Sequence, residues 1–138
     1  MNKYYFVGKT QEQAINLALY ELNISEDDLI VNNVEDKSSL LKKNVKIEVL
    51  NIKEIISFIK DTLNKITELM GAKSNLEVKR REKSISVTIF SENNAILIGK
   101  NGKNVAALQL LIRQMVNSKL KEPLSIIIDV GNYKEKRA

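Results

Sequence analysis

A chain of 138 residues with 43% hydrophobic and 28% charged residues has the composition of a folded protein with one or two small domains. The absence of cysteine and histidine excludes thiol catalysis, thiolate or imidazole metal sites and histidine acid–base chemistry. The net charge of +5 is uneven, since residues 1–50 carry 6 basic and 8 acidic side chains whereas residues 51–138 carry 16 and 9, so the second part suits a polyanionic partner.

The first part of the chain predicts a β-α-β-β unit. Residues 3–7 (KYYFV) are typical of a short strand, and a T-x-x-Q capping box opens a helix over about residues 10–23. Alternating apolar residues predict strands over residues 29–34 and 45–50. The acidic residues 26–28 fall between the helix and the next strand, where we expect a solvated loop.

The rest of the chain predicts the order α-β-β-α-α-β. Asn51 and Glu54 have the spacing of a helix cap, and an apolar period of 3.6 residues continues from there until Gly71. The predicted elements are a helix over residues 51–70, strands over 76–79 and 84–90, a short helix capped by Ser91 and ending at Ile98, a helix over about 105–119 and a strand over 124–130. No flexible linker precedes residue 51, so the domain boundary is expected there.

A glycine turn, Gly99-Lys100-Asn101-Gly102, joins the last two predicted helices. Glycine has no Cβ, so a phosphodiester can lie against its backbone. The next helix begins at Gly102 and presents unpaired amides and a positive dipole end to phosphate oxygens. Lys100 and Lys103 add positive charge, so the turn is suited to a nucleic-acid backbone.

This turn in this order of elements resembles a KH domain of the type II arrangement, in which I-G-x-x-G-x-x-[VI] lies between the two central helices. The motif is matched by Ile98, Gly99, Lys100, Asn101, Gly102, Lys103, Asn104 and Val105. The resemblance implies that these residues bind single-stranded RNA, because KH domains clamp about four nucleotides with this loop. It also implies an apolar groove for bases, and the candidates to line it are Ile98, Val105, Leu108 and either Val87 or Ile89. For these five residues, plain core packing is the alternative.

A second basic cluster lies at the tip of the predicted hairpin. Arg80, Arg81 and Lys83 are candidates to bind the RNA backbone, and a solvated hairpin end is the alternative. Phe90 is the only aromatic residue expected near the site, so we do not expect aromatic base stacking.

The first fifty residues narrow the resemblance to one family. The pattern G-K-T-x-x-x-A-I-x-x-A-L-x-x-L is met by Gly8, Lys9, Thr10, Ala14, Ile15, Ala18, Leu19 and Leu22. Together with the KH segment, it resembles the Jag family, also called KhpB or SpoIIIJ-associated protein. The resemblance implies an α+β fold, with a Jag N-terminal domain over residues 1–50 and a type II KH domain over residues 51–138. It also implies a bacterial, cytoplasmic RNA-binding protein that is linked to cell elongation and envelope control.

Two departures from the family pattern stand out. The family usually has K-K-G-F-[LF]-G between the second and third strands, whereas residues 37–43 here read KSSLLKK, without glycine or phenylalanine. The family also continues into a third, nucleic-acid-binding domain with an R-x-x-x-H signature, which this sequence lacks. Residues 131–138 (GNYKEKRA) are similar to the lead into that domain, so we interpret the sequence as either a piece of a longer chain or a naturally short member.

The sequence therefore favours a non-enzymatic regulator that binds single-stranded RNA, with no cofactor or metal. A second small KH protein is the protein partner that the resemblance implies, and a homodimer is a separate hypothesis. The alternative is an interaction adaptor whose KH fold serves for dimerisation or docking. No run of about 18 apolar residues is present, so stable membrane insertion is not expected.

Overall fold

The computed structural model describes residues 1–134, so the last four residues of the expected lead into a further domain lie outside the described residues. The helices and strands are, in chain order, β1 (Tyr4–Gly8), α1 (Gln11–Leu22), β2 (Leu29–Asp36), β3 (Val45–Asn51), α2 (Ile52–Leu69), β4 (Ser74–Arg81), β5 (Ser84–Ser91), α3 (Asn94–Ile98), α4 (Lys103–Asn117) and β6 (Ser125–Val130). The predicted α+β class and the predicted order of elements are confirmed. The chain divides into two compact units, Met1–Ser57 and Phe58–Ala138, and the division falls inside α2.

The first unit is a three-stranded antiparallel sheet with α1 against one face. The strand order is β1-β3-β2, so the last strand in sequence is the central one. Alternate residues of β3 are buried, together with the two alanines of α1, whose small side chains bring the helix close to the sheet. The core of this unit is formed by Ala14, Ala18, Val45, Ile47 and Val49.

The ends of α1 follow the sequence prediction. The Thr10 hydroxyl accepts a hydrogen bond from the Gln13 N–H at 3.1 Å, as a capping box requires. The Gln13 side chain accepts from the Lys9 N–H at 3.3 Å rather than from Thr10, so the box closes one residue earlier than usual. Asn23 ends the helix in the left-handed conformation, with φ +52°.

The acidic segment after α1 is only in part the solvated loop that its composition predicts, since Glu26 and Asp27 are exposed whereas Asp28 is buried. Residues Glu26–Asp28 form a 3₁₀ turn, and Asp28 is 6% exposed. The Asp28 carboxylate lies 3.4 Å from the Lys53 ammonium, and this ion pair compensates the burial of the charge. The prediction was wrong for Asp28, because a charge run does not reveal which of its members has a partner elsewhere in the fold.

The second unit combines a hairpin with a parallel crossover. Strands β4 and β5 are antiparallel, and β6 pairs with β5 in parallel after the chain passes through α3 and α4. A parallel pair needs such a crossover connection, and here the crossover carries the glycine turn. The largest fully buried side chains of the two parallel strands and of the crossover are Ile85, Ile89, Leu97, Ile112, Ile126 and Ile128.

The starts of α2 and α3 differ in part from the predicted caps, and side-chain hydrogen bonds explain the differences. Asn51 does cap α2, since its side chain accepts from the Lys53 N–H at 3.0 Å, but Glu54 accepts from the Tyr4 hydroxyl at 2.7 Å instead of completing a box. Ser91 does not cap α3, because its hydroxyl accepts from the N–H of Asn93, which precedes the helix, at 3.1 Å. Helix α3 therefore begins at Asn94, three residues after the predicted cap.

Helix α2 is the longest helix and is amphipathic. It has 18 residues, and Ile55, Ile59 and Leu63 on its apolar face are completely buried. Gly71, with φ +77°, lies just after its end, as the sequence predicts. Within residues 1–134, no helix combines the length and the apolar character that crossing a bilayer requires.

The outer edge of β6 is covered by polar side chains of α4. Three residues spaced by four along α4 bond to alternate backbone groups of the strand edge, at distances of 2.7–3.1 Å. The pairs are Asn117 with Leu124, Arg113 with Ile126 and Gln109 with Ile128. This edge is therefore not open to pairing with another strand.

Candidate nucleic-acid interface

The glycine loop (residues 99–102) is a tight turn between α3 and α4. The Gly99 N–H bonds to the Ala95 carbonyl at 2.9 Å, and the Gly102 N–H bonds to the Gly99 carbonyl at 3.2 Å. Three of its four residues have positive φ angles: +73° at Gly99, +56° at Asn101 and +77° at Gly102. Two glycines and an asparagine are the residue types that adopt this conformation most readily, so the local sequence explains the turn.

Both glycines pack against side chains of the protein itself. A Cβ on Gly99 would lie 2.7 Å from Cγ of Asn104, whose amide donates to the Ile96 carbonyl at 2.7 Å. A Cβ on Gly102 would lie 3.0 Å from the ring of Tyr133. The missing Cβ atoms are therefore needed for internal packing as well as for the positive φ angles, a requirement that the sequence pattern does not reveal.

The residues between the glycines face solvent. Lys100, Asn101 and Lys103 are exposed, whereas Gly102 is buried. The loop and the first residue of the 15-residue helix α4 thus present two ammonium groups and one amide to solvent. This is the arrangement of charge and helix dipole that attracts phosphate oxygens.

A cleft of about 400 Å³ adjoins the loop, and we call it the loop cleft. Its wall and floor come from the loop, from the first turns of α4 and from the two residues that end the described chain. The lining residues are Asn101, Gly102, Val105, Ala106, Gln109, Tyr133 and Lys134. Its volume lies in the range of small-ligand sites, so it has room for one base.

The positive charge inside the loop cleft is partly desolvated. Burial lowers the pKa of Lys134, the nearby Asp129 carboxylate opposes this, and the Arg113 guanidinium lowers the pKa further. The Lys134 ammonium donates a hydrogen bond to the Gln109 side-chain oxygen, and its backbone N–H donates to Asp129 at 3.0 Å. An anion in the cleft would therefore interact favourably with a cation that has lost part of its hydration.

The predicted groove residues lie in four different places. Val105 lines the loop cleft, and Ile98 is half-buried at the end of α3. Leu108 borders a separate hollow of about 160 Å³ with Leu111 and Met70. Val87 and Ile89 are almost completely buried in the sheet, and Val105 and Leu108 are buried as well, as the alternative of core packing predicts for these four residues.

The basic hairpin tip lies at the far end of the sheet from the glycine loop. Arg81 pairs with Ser84 at the start of β5, which then runs eight residues to Ser91, a length of about 20 Å. The chain after β6 bonds to Ile89 near the other end of β5, and from there Tyr133 reaches the loop. The structure thus does not bring Arg80, Arg81 and Lys83 together with the loop.

Four lining residues were not predicted: Ala106, Gln109, Tyr133 and Lys134. Ala106 and Gln109 stand one and four positions after Val105, so helical spacing offered a signal for both. Tyr133 and Lys134 follow β6, and only the parallel pairing of β6 with β5 brings them to the loop. The expectation that Phe90 is the only aromatic residue near the site is thereby corrected, since the ring that covers Gly102 is that of Tyr133.

Comparisons with known proteins match both parts of the chain. A family model described as "KhpA/KhpB, KH domain" matches residues 56–128, and one described as "Jag N-terminus" matches residues 6–50. The RNA-binding protein KhpB of Clostridium symbiosum is 29% identical over 142 aligned positions, covering 94% of this chain and 61% of the relative. RNA-binding protein KhpB of Bacillus subtilis (strain 168) is 26% identical over 135 positions, covering 94% and 65%. The chain therefore spans less than two thirds of the length of these two relatives.

Proposed function

Since the chain belongs to the KhpA/KhpB KH-domain family and carries a Jag N-terminal segment ahead of that domain, we propose that it binds single-stranded RNA through the glycine loop and acts as a regulator rather than as an enzyme. One observation carries the proposal. The loop exposes Lys100 and Asn101 to solvent directly beside the loop cleft.

The phosphodiester backbone binds at the convex side of the loop. Lys100 and Lys103 neutralise phosphate charge there, and the first turn of α4 contributes its dipole. The side on which the glycine Cβ atoms would project is filled by Asn104 and Tyr133, so phosphates contact the two residues between the glycines. Because the attraction is largely electrostatic, affinity falls steeply with rising salt.

One base occupies the loop cleft. Ala106, which is exposed, provides apolar contact, and the Tyr133 ring offers a stacking surface in the same cleft. Lys134 and Gln109 lie where they can bond to the polar edge of the base or to the next phosphate. A single pocket of this kind gives modest discrimination among sequences.

The wider role follows from the family resemblance. We extend the proposal to cytoplasmic, post-transcriptional regulation linked to cell elongation and envelope control. A second small KH protein is the partner that the resemblance implies, and a second copy of this chain is a separate hypothesis.

The test is a fluorescence-anisotropy titration of short single-stranded RNA and matched DNA at two salt concentrations. Lys100→Asp/Asn101→Asp puts two carboxylates at the phosphate site and should weaken RNA binding by at least about tenfold. Asn64→Asp/Lys65→Asp is a matched control, because it makes the same charge change at two exposed positions of α2.

Unchanged affinity in the loop variant would overturn the proposal. Equal weakening in both variants would mean that binding depends only on net charge. If wild type and loop variant bind equally weakly while a protein partner is retained by both, the adaptor alternative is favoured.

A further inference from the structure

The loop between β2 and β3 exposes two leucines completely. Leu40 and Leu41 have relative exposures of 105% and 99%, the highest among the exposed large apolar side chains of the described residues. They stand side by side at the tip of the loop, and both flanking strands continue away from it. Burying a leucine is favourable, so two adjacent leucines held in water indicate a surface that is covered in use.

The tip is an ordered turn. The Ser39 N–H bonds to the Lys42 carbonyl at 2.7 Å. Nearer the strands, the Lys37 N–H bonds to the Asn44 carbonyl at 2.8 Å. The Ser38 N–H bonds to the Asp36 carboxylate at 2.9 Å. These bonds hold residues 39–42, which we call the leucine turn, in a shape that projects the leucines outward. They also satisfy backbone groups that would otherwise oppose entry into an apolar medium.

A collar of positive charge surrounds the leucine turn. Lys42 is the last residue of the turn, Lys37 and Lys43 flank it, and within residues 1–134 neither Lys42 nor Lys43 lies in ion-pair distance of an acidic side chain. The Glu35 carboxylate lies 3.5 Å from the Lys37 ammonium and offsets its charge, and the Asp36 carboxylate accepts from the Ser38 N–H, so among the described residues the unpaired cations of the collar are Lys42 and Lys43. An apolar tip inside a cationic collar is complementary to an anionic lipid surface.

We propose that the leucine turn inserts reversibly into the headgroup region of membranes rich in anionic phospholipid. The leucines enter the acyl boundary, and the lysines remain among the phosphates. Exposed leucines beside lysines that have no ion-pair partner within residues 1–134 match this layered surface, in which the acyl boundary lies directly beneath a layer of negative charge. Two leucines and two such lysines give weak binding, so the contact is peripheral and reversible.

The first test is flotation of the full chain with vesicles of phosphatidylcholine alone and with added phosphatidylglycerol. Binding is expected only in the presence of phosphatidylglycerol. Leu40→Ser/Leu41→Ser should lower the partition coefficient roughly tenfold or more, and each lysine removed in Lys42→Gln/Lys43→Gln should lower it about fivefold. Leu69→Ser/Leu110→Ser removes two exposed leucines elsewhere and should change nothing.

The second test exploits the absence of tryptophan from the chain. A single reporter at Leu41→Trp should shift its emission to the blue on vesicles containing phosphatidylglycerol, whereas Leu69→Trp should not. Absence of the shift, or an equal shift in both proteins, would overturn the proposal. Flotation that survives Leu40→Ser/Leu41→Ser would overturn it too, since binding would then belong to the general basic surface.

A third result would overturn the proposal and identify a different partner for the leucine turn. Self-association that disappears in Leu40→Ser/Leu41→Ser, without vesicle binding, would identify the occupant as a second copy of the chain. RNA affinity should be unaffected by these leucine substitutions, so failure of this proposal and failure of the RNA proposal are distinguishable.

Discussion

At Gly102, two requirements for glycine coincide. The residue has φ +77°, and the ring of Tyr133 lies where its Cβ would project, at 3.0 Å. Gly71 shares the same φ of +77° but has nothing within 4 Å of the corresponding position. Substituting Gly71 therefore tests the cost of backbone strain alone, and substituting Gly102 tests backbone strain together with a steric contact.

Gly71→Ala is expected to lower the free energy of unfolding by about 1 kcal/mol, because only the left-handed backbone is strained. Gly102→Ala should cost about 2–3 kcal/mol, because the ring of Tyr133 must also move. Urea unfolding followed by circular dichroism measures both values. Adding Tyr133→Ala to Gly102→Ala should recover part of the excess. An equal cost for the two single variants would contradict the contact with Tyr133.

At the scale of the elements, the sequence predicts what is periodic. The apolar period of α2, the alternation in β4 and β5, and the caps at Thr10 and Asn51 all depend on neighbouring residues, and the structure confirms them. The family resemblance inferred from the glycine turn and the N-terminal pattern is likewise confirmed. Each of these features depends on residues that are close together in the sequence, so a short segment is enough to predict it.

Features that depend on distant segments were not predictable in this way. The burial of Asp28 depends on Lys53, and the polar stripe of Gln109, Arg113 and Asn117 resembles a solvated helix face until β6 lies beside it. Tyr133 reaches the glycine loop only through the parallel register of β6. In each case the partner is fixed by topology rather than by spacing along the chain.

Glu48 links all three strands of the first unit and makes its stability depend on pH. Its carboxylate lies 2.9 Å from the Lys3 ammonium, next to β1, and accepts from the Asn32 amide of β2 at 3.0 Å. The bond from Lys3, with that from Asn32, holds the pKa of Glu48 below its ordinary value. Because the pKa of Glu48 is lower in the folded protein than in the unfolded chain, its ionised carboxylate stabilises the fold fully at pH values above its pKa in the unfolded chain. This stabilisation is lost as the pH falls through its pKa in the folded protein.

Glu48→Gln should therefore lower the free energy of unfolding by about 0.5–1 kcal/mol near neutral pH, and the difference from wild type should shrink on acidification below pH about 4. Hydrogen exchange of the β3 amides, followed from neutral to acidic pH in both proteins, measures this difference in the stability of the sheet. Glu35→Gln, which removes a carboxylate from a half-exposed pair, serves as the control and should have a smaller effect. Parallel pH curves for wild type and Glu48→Gln would contradict the role of its ionised form.

At the scale of the whole molecule, positive charge is divided among separate surfaces. The glycine loop carries Lys100 and Lys103, and the hairpin tip with Arg81 and Lys83 lies about 20 Å away along β5. An oligonucleotide that fills only the loop and its cleft does not reach the hairpin. A longer strand can contact both, and its salt dependence then reflects the number of phosphates bound at each.

Arg81→Gln/Lys83→Gln should leave the affinity for an RNA of about four nucleotides unchanged, because a strand of that length is held by the loop alone. With a longer RNA, of about twelve nucleotides, the same variant should reduce the slope of log K against log salt by about 1.4, that is about 0.7 for each phosphate that the variant no longer neutralises. Anisotropy titrations at several salt concentrations give both slopes. A reduced slope with the short RNA would show that the hairpin and the loop act on the same few nucleotides. An unchanged slope with both RNAs would make the hairpin tip a solvated end and restrict the interface to the glycine loop and its cleft.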